Sequence, residues 1–343
     1  MEPMLERRRF LKGLGVSIVS GVAGTPLLHG AEGASTLPSD RVTLDDLPKR
    51  KLGRIGIDVA PLSFGTAAMG HAFYEAEPFE QVINAAIDSG VRYIDVAPIY
   101  DVAETRLKPI LAKRRKEIFL VTKAMKPTRD EVLRSLETSF TSMGVEEADL
   151  CHIHNAGFWP PEEVIGKGGA LEGMLEARKR GWTRYIGCSG HMRVDRFAPL
   201  IETDEIDLVM LAMNFVDVHT YNFEERVLPV ARKHNCAIVC MKVYGGVSGD
   251  VWGGYRKLNP GRLAQDEATR QAAVDYALSI PGVSTCVVGI KSLEELRLSI
   301  KAFRNHRPLD EPRRQALAAR GAELARQWGP RFGPVDESSA TQG

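Results

Sequence analysis

The chain has 343 residues, of which 44% are hydrophobic and 26% are charged, the composition of a soluble globular protein and not of a disordered, collagen-like or coiled-coil chain. The formal net charge is +1, and the longest basic run, at residues 113–116, is followed at once by Glu117, which argues against a broad nucleic-acid-binding face. The cysteines are odd in number, lack a CxxC spacing and sit in apolar segments, so we expect buried free thiols and not a disulfide or zinc framework. They are Cys151, Cys188, Cys236, Cys240 and Cys286.

The first thirty-odd residues differ in character from the rest of the chain. Residues 7–12, Arg-Arg-Arg-Phe-Leu-Lys, resemble the twin-arginine export motif, and a mildly apolar segment at 13–28 follows that is too short to span a bilayer comfortably. A membrane anchor or an unstructured tail is the alternative. We predict a twin-arginine signal over residues 1–33 and a linker over 34–48, which implies the export machinery as a partner and a periplasmic location. Cleavage before Ala34 stays open.

From residue 51 onward, short runs rich in Val, Ile and Leu alternate with segments at helical spacing, a pattern that predicts strand–helix pairs in a parallel sheet. The predicted strands are 60–64, 93–97, 118–124, 149–154, 184–189, 207–213, 237–243 and 285–290. The predicted helices are 78–89, 104–112, 128–143, 161–180, 195–202, 223–234, 266–279 and 293–303.

Eight such pairs in roughly 250 residues favour an α/β fold, a closed (β/α)8 TIM barrel, over an open sheet. A further helix is predicted at 310–328. We therefore expect one catalytic domain over residues 49–330 and a flexible tail over 331–343. In such barrels chemistry gathers at the carboxyl ends of the strands, and four polar residues lie there in order. They are Asp95, Tyr100, Lys123 and His154.

The segment Asp-Val-Ala-Pro-Ile-Tyr at 95–100, with Glu104 opening the next helix, resembles the D-x-A-x-x-Y signature of the aldo-keto reductase family, and 149–154 resembles the family's fourth strand. The resemblance covers about residues 49–305. It implies an NAD(P)-dependent oxidoreductase that interconverts a carbonyl and an alcohol of a small-molecule substrate. It also implies that His154 hydrogen-bonds the substrate oxygen.

The residues themselves support this chemistry, because carbonyl reduction needs a proton for the oxygen as hydride reaches the carbon. Tyr100 is the natural acid, and a neighbouring ammonium such as that of Lys123 favours the phenolate. Asp95 then keeps Lys123 charged, which a lysine on a strand buried on both faces requires.

Two alternatives remain. His152 and His154 project from one side of a strand and can chelate zinc, as in a metal-dependent barrel hydrolase, although that class carries its HxH pair on the first strand. The other alternative is a catalytically silent barrel that acts as a binding subunit.

The resemblance places a nicotinamide cofactor, NADP or NAD, across the barrel mouth, without a GxGxxG turn. Four positions depart from the family. Gly190 stands where asparagine is usual, Met210 replaces the usual glutamine, and Met241 falls near the usual ring-stacking aromatic. Glu295 falls where an arginine commonly grips the 2′-phosphate, so this residue favours NAD while the family favours NADP. The expected cofactor contacts are Gly65, Thr66, Ser189, Gly190, Met210, Met241, Lys291, Ser292 and Glu295.

Aromatic residues in the loops that leave the carboxyl ends of the strands predict an aromatic-walled substrate pocket. Those assigned to it are Phe158, Trp159 and Trp252. The sequence specifies neither the substrate nor the direction of the reaction.

Overall fold

The computed structural model describes residues 43–44, 47–247 and 261–340. An antiparallel pair of short strands, β1 (Arg50–Lys51) and β2 (Asp58–Val59), precedes the main sheet. It packs against the start of the last barrel strand, where the Arg50 guanidinium donates to the Val283 carbonyl at 2.8 Å. The predicted signal and nearly all of the predicted linker lie outside the described residues.

Eight parallel strands close into a barrel, which confirms the predicted (β/α)8 fold. Each barrel strand pairs with the next along the chain, and the last pairs with the first. The strands are apolar almost throughout because helices cover their outer surface while side chains fill the interior. They are β3 (Leu62–Gly65), β4 (Tyr93–Asp95), β5 (Phe119–Ala124), β6 (Ala148–His154), β7 (Thr183–Gly190), β8 (Leu208–Ala212), β9 (Ala237–Met241) and β10 (Val283–Gly289).

Helices follow the strands and surround the barrel. In the part of the chain that the structure describes, no helix combines the length and hydropathy needed to cross a bilayer. The helices are α1 (Ala76–Asp88), α2 (Ala103–Arg114), α3 (Arg129–Met143), α4 (Pro161–Ile165), α5 (Ala170–Lys179), α6 (Phe197–Ile201), α7 (Phe223–Arg226), α8 (Leu228–Lys233), α9 (Glu267–Ser279), α10 (Leu293–Arg304), α11 (Glu311–Trp328) and α12 (Glu337–Ala340).

Two segments predicted as single helices are each broken in two. The prediction over 161–180 is interrupted after α4, where Gly168 adopts a left-handed φ of 78° and a Cβ on Gly169 would lie 2.3 Å from the Glu163 carbonyl oxygen. The prediction over 223–234 is interrupted between α7 and α8. Pro229 lies in the first turn of α8 and has no N–H with which to continue the preceding helix.

Residues 331–338, part of the predicted tail, contact the barrel and the loops at its end. Both oxygens of Asp217 accept hydrogen bonds from Arg331, at 2.5 and 2.7 Å. Phe332 is buried, and its N–H donates to the Tyr221 hydroxyl at 2.8 Å. This segment is mostly polar in sequence, but its Arg331 guanidinium and its Phe332 have buried partners. These contacts hold residues 331 and 332 against the barrel.

All five cysteines are free and buried, as expected from their apolar surroundings. Burial raises the pKa of Cys151 to about 12 and that of Cys236 to about 11. These two thiols therefore stay protonated at neutral pH and are poor nucleophiles.

Candidate active site

A cavity of about 590 Å³ opens at the carboxyl ends of the barrel strands. Its wall is largely apolar, with a small set of polar side chains, the usual character of a small-molecule site. These polar residues are His71, Asp95, Tyr100, His154, Asn155, His191, Lys242, Tyr244, Arg270, Lys291, Glu295 and Ser299.

A buried ion pair lies at the inner end of this cavity. Lys123 on β5 donates from Nζ to Asp95 Oδ1 at 2.5 Å and to the Val96 carbonyl at 2.9 Å. Burial raises the pKa of Asp95 and lowers that of Lys123, and each charge opposes the effect on its partner. Thr66 donates from its hydroxyl to the Asp95 carbonyl at 2.9 Å, which ties β3 to the end of β4. The pair expected from the sequence is therefore present.

Tyr100 lies directly above this pair. The Lys123 ammonium nitrogen is 5.0 Å from the centroid of the Tyr100 ring. The loop that carries Tyr100 is held by Gly70, whose carbonyl accepts from the Val102 N–H at 2.9 Å. A Cβ on Gly70 would lie 2.4 Å from the Tyr100 carbonyl oxygen, so only glycine permits this approach. The tyrosine ring thus lines the cavity and lies close to the buried ammonium.

His154 ends β6, lines the same cavity as this tyrosine and is neutral at physiological pH. Burial holds its pKa well below its usual range, and the positive charges of Lys123 and Lys242 act in the same direction. Its Nδ1 is 2.9 Å from the hydroxyl oxygen of Ser189. If the serine donates to Nδ1, Nε2 carries the ring hydrogen and becomes the donor toward the cavity.

His152 lies on the same side of β6 as His154, as its spacing predicts, but it is fully buried and does not line the cavity. A Cβ on Gly187 would lie 2.5 Å from His152 Nδ1, so the ring occupies the space that this glycine leaves. Across residues 43–44, 47–247 and 261–340, no three His, Cys, Asp or Glu side chains are grouped so as to hold a metal ion. The histidine pair therefore lacks the third protein ligand of a catalytic zinc site.

A family model for the aldo/keto reductases matches residues 61–257, more than half of the chain. The chain belongs to the aldo/keto reductase family. It is therefore an oxidoreductase of a family that acts on carbonyls and alcohols with NAD(P)H, which agrees with the expected cofactor class of NADP or NAD.

Two curated relatives match this aldo/keto reductase over most of their length. The uncharacterized oxidoreductase YqkF of Bacillus subtilis is 24% identical over 308 residues, which cover 78% of this chain and 95% of that protein. Pyridoxal 4-dehydrogenase of Microbacterium luteolum is 23% identical over 327 residues and is covered to 94%, against 76% of this chain.

Solved structures share the barrel at low sequence identity. An aldo-keto reductase from Klebsiella pneumoniae in complex with NADPH has a TM-score of 0.64 at 19% identity, covering 80% of this chain and 95% of its own. The holo form of an aldo-keto reductase from Bacillus halodurans has a TM-score of 0.65 at 20% identity, covering 79% and 95%. These likenesses support the fold.

The residues expected to contact cofactor in this aldo/keto reductase divide into two groups. Five line the cavity, namely Gly65, Met210, Met241, Lys291 and Glu295. The other four do not line it. Thr66 donates to the Asp95 carbonyl, Ser189 is hydrogen-bonded to His154, and Ser292 accepts from the Glu295 N–H at 3.1 Å to cap α10. Gly190 lies against Phe197 and Asn155.

Lys291 and Glu295 form a small charged unit at the start of α10. Glu295 accepts from the Lys291 backbone N–H at 2.8 Å through Oε2, and its Oε1 is 3.5 Å from the Lys291 ammonium. Lys291 is almost fully buried, whereas Glu295 is half-buried at the cavity wall. The carboxylate therefore neutralises a lysine that otherwise presents a full positive charge to a bound phosphate.

Of the three residues assigned to the substrate pocket, one lines the cavity, one does not, and one lies outside the described residues. Phe158 lines the cavity and is 39% exposed. Trp159 does not line it, because its ring packs edge-on against Phe158 with 5.7 Å between centroids and is partly buried against the core. Trp252 lies outside the described residues.

The sequence interpretation missed several cavity residues, of which Asn155, Lys242 and Arg270 are the most polar. Lys242 directly follows β9 and has a left-handed φ of 58°, which non-glycine residues adopt mainly at strained or functional positions. A lysine directly after a buried strand was a usable signal for it. Arg270 reaches the cavity from the second turn of α9, and no pattern in the sequence marks a helical arginine as a site residue.

Proposed function

We propose that the protein is an NAD(P)-dependent oxidoreductase that interconverts a carbonyl and an alcohol, with Tyr100 as the general acid and base. The observation that carries the proposal is the buried Asp95–Lys123 pair, whose ammonium lies 5.0 Å from the Tyr100 ring at the inner end of the cavity. An ammonium without water around it exerts a strong field on a nearby phenol. A phenol so placed is suited to give and take a proton at neutral pH.

Each of the four residues has a distinct part in this proposal. The bound nicotinamide supplies or accepts the hydride. Tyr100 gives its hydroxyl proton to the carbonyl oxygen in reduction and recovers a proton from the alcohol in oxidation. Lys123 stabilises the phenolate that Tyr100 becomes, and Asp95 keeps Lys123 charged and oriented. His154, held neutral by burial, donates a hydrogen bond to the substrate oxygen and fixes its position.

The cavity wall fits a nicotinamide nucleotide. Met210 and Met241 give the apolar, polarisable surface against which a flat ring packs. Arg270 supplies a cation suited to a phosphate group, and Lys291 supplies a second one whose charge Glu295 offsets. A carbonyl substrate then takes the remaining space beside Phe158.

The turnover of a nicotinamide nucleotide with small carbonyl compounds tests the function directly. The full chain is purified and mixed with NADPH or NADH and a series of aldehydes and ketones, and the absorbance of the reduced nicotinamide is followed. We expect consumption that depends on both the nucleotide and the carbonyl. Nucleotide binding without turnover of any carbonyl or alcohol favours the silent barrel, and absence of nucleotide binding overturns the proposal.

Glu295 is proposed to set the choice between the two nucleotides. Replacing Glu295 with arginine should shift the ratio of NAD and NADP dissociation constants toward NADP by roughly 5- to 150-fold, the equivalent of about 1 to 3 kcal/mol for a charge-assisted hydrogen bond gained and a repulsion lost. Titration of both nucleotides against the purified protein measures the ratio.

Two further variants make this test specific. Glu294 is the neighbouring carboxylate, does not line the cavity and pairs with Arg297, so Glu294→Arg should leave the ratio unchanged. Glu295→Gln removes the repulsion without adding a cation and should give a smaller shift in the same direction. An unchanged ratio in Glu295→Arg means that α10 does not contact the adenosine ribose.

We also propose, from residues 7–12 alone, that the chain is exported by the twin-arginine route and works in the periplasm with nucleotide already bound. That compartment supplies little free nicotinamide nucleotide, so a slow dissociation rate is required. The test is to isolate the protein from periplasm, denature it and quantify released NAD and NADP. Near-stoichiometric nucleotide supports retention, whereas empty protein contradicts it. Replacing Arg7 and Arg8 with lysine should keep the protein in the cytoplasm.

A further inference from the structure

Exposed apolar side chains concentrate at one side of the cavity. Among the described residues five large apolar side chains are strongly exposed, and three of these lie in loops that follow β3, β4 and β6. They are Phe73 (52% exposed), Ile99 (50%) and Phe158 (39%). A single exposed apolar residue is normal on a soluble protein, but several beside a cavity form a surface that a ligand can cover.

Part of this apolar surface belongs to the cavity wall itself. Ile99, Met125 and Phe158 all line the cavity. They follow β4, β5 and β6, which are consecutive in the closed barrel, so the loops that carry them lie side by side. The three side chains therefore form one continuous side of the wall.

The same surface continues beyond the cavity to Phe73. The ring of His71, which lines the cavity, stacks on the ring of Phe73 with 5.4 Å between centroids and 10° between planes. This loop is bound to the loop of Ile99, because the Ala72 N–H donates to the Asp101 carboxylate at 2.9 Å. Phe73 itself does not line the cavity and so lies at its outer edge. We call Phe73, Ile99, Met125 and Phe158 the apolar arc.

The charged side chains of the cavity come from the other side of the barrel. Among the described cavity residues that β3 to β6 and their loops carry, there is no lysine or arginine, and the one carboxylate is that of Asp95, which pairs with Lys123. A carboxylate or phosphate on a substrate would therefore meet no ammonium or guanidinium at the arc, and the hydroxyls of a sugar would lose water against apolar groups. The charged residues from β9 onward are Lys242, Arg270, Lys291 and Glu295.

We propose that the substrate is a neutral aldehyde, ketone or alcohol with a long apolar chain, and not a sugar, a keto acid or a phosphorylated carbonyl. The inference rests on the proposed function, which places the reacting carbonyl beside Tyr100. From there the chain lies along Ile99, Met125 and Phe158 and leaves the cavity past Phe73. Because the arc offers hydrophobic contact, the length of the apolar chain sets the specificity.

The test compares aldehydes that differ in length or in one polar group. Butanal, octanal and decanal form the length series, and kcat/KM is calculated on the unhydrated aldehyde with the preferred nucleotide in excess. We expect kcat/KM to rise about two- to fourfold for each added CH₂, which corresponds to burying half or all of that group. Succinic semialdehyde has a carboxylate where butanal has its methyl group, and glyceraldehyde is propanal with two hydroxyls. Each should be a poorer substrate than its apolar counterpart.

Two variants locate the path of the chain. Ile99→Ser should lower the octanal-to-butanal ratio of kcat/KM by at least about threefold, because it removes apolar area from the cavity wall. Phe73→Ser should lower the decanal-to-octanal ratio by at least about twofold, since only a long chain reaches the outer edge. Ile165→Ser is the matched control, because Ile165 is an exposed apolar residue on α4 that does not line the cavity, and both ratios should stay at the wild-type value. Thermal melting of each variant reports folding separately.

The outcomes separate this inference from the proposed function. If the protein turns over no carbonyl or alcohol at all, the proposed function fails. If it turns over carbonyls but kcat/KM does not rise with chain length, or succinic semialdehyde is preferred to butanal, the proposed function stands and the apolar substrate is overturned. A preference for long chains that both Ile99→Ser and Phe73→Ser retain also overturns the inference, because the chain then does not lie along the arc.

Discussion

Replacing Tyr100 with phenylalanine is expected to abolish measurable turnover, a loss of at least about 10²- to 10⁴-fold in kcat, while nucleotide affinity changes little. The phenylalanine ring keeps the shape of the tyrosine ring and loses only the hydroxyl that transfers the proton. Steady-state kinetics on the best carbonyl substrate and nucleotide titration of the same preparation measure the two effects.

Tyr185 provides the matched control for this substitution. It lies on β7, is partly buried and does not line the cavity, so Tyr185→Phe should retain wild-type kcat. Full activity in Tyr100→Phe removes Tyr100 as the acid. A second measurement tests the alternative function. If dialysed wild-type protein carries stoichiometric zinc and loses its activity when a chelator is added, the result supports a metal-dependent hydrolase that uses His152 and His154.

The second large effect is expected from Lys123→Met, in stability as well as in rate. Removing the ammonium leaves the Asp95 carboxylate, 3% exposed, without its cation, and an uncompensated buried charge of this kind costs about 3 to 5 kcal/mol of unfolding free energy. The phenol of Tyr100 also loses the charge that stabilises its ionised form. Denaturant unfolding and kcat are measured on the same variant, with Lys126→Met, an exposed lysine three residues on, as control.

A double variant separates the two roles of this pair. In Asp95→Asn with Lys123→Met neither charge of the pair remains, so the unfolding free energy should recover most of the loss while kcat does not recover. Equal stability of Lys123→Met and wild type contradicts the assumption of an ionised Asp95. It means that the aspartate is protonated, the direction in which burial already raises its pKa.

The barrel could be predicted because apolar residues are spaced differently in its strands and in its helices, and because most of the segments between them are recognisable as turns. Strand residues such as those of β8 and β9 are apolar without interruption, as burial on both faces requires. Helix breaks were less visible. The sequence around Gly168 keeps a helical spacing on both sides, and only the left-handed backbone of that glycine shows that α4 and α5 are separate.

Some residues of the candidate site could likewise be predicted from the sequence, and others could not. Asp95, Lys123 and His154 follow from strand ends, since a barrel brings those ends together, and Tyr100 follows from its place in the loop directly after β4. Arg270 and Asn155 do not follow in this way. Their positions depend on how α9 leans over the cavity and on the space beside Gly190, and both are products of packing between segments far apart in sequence.

The contacts that residues 331–338 make with the barrel determine where the chain tolerates shortening and fusion. A version that stops at Trp328 loses the guanidinium bonded to Asp217, which is 1% exposed, and the N–H that binds the Tyr221 hydroxyl. A shortened protein that ends where the barrel and its last long helix end would therefore lack part of the core, including Phe332. An affinity label or a reporter domain is therefore better attached after residues 331–338 than after Trp328.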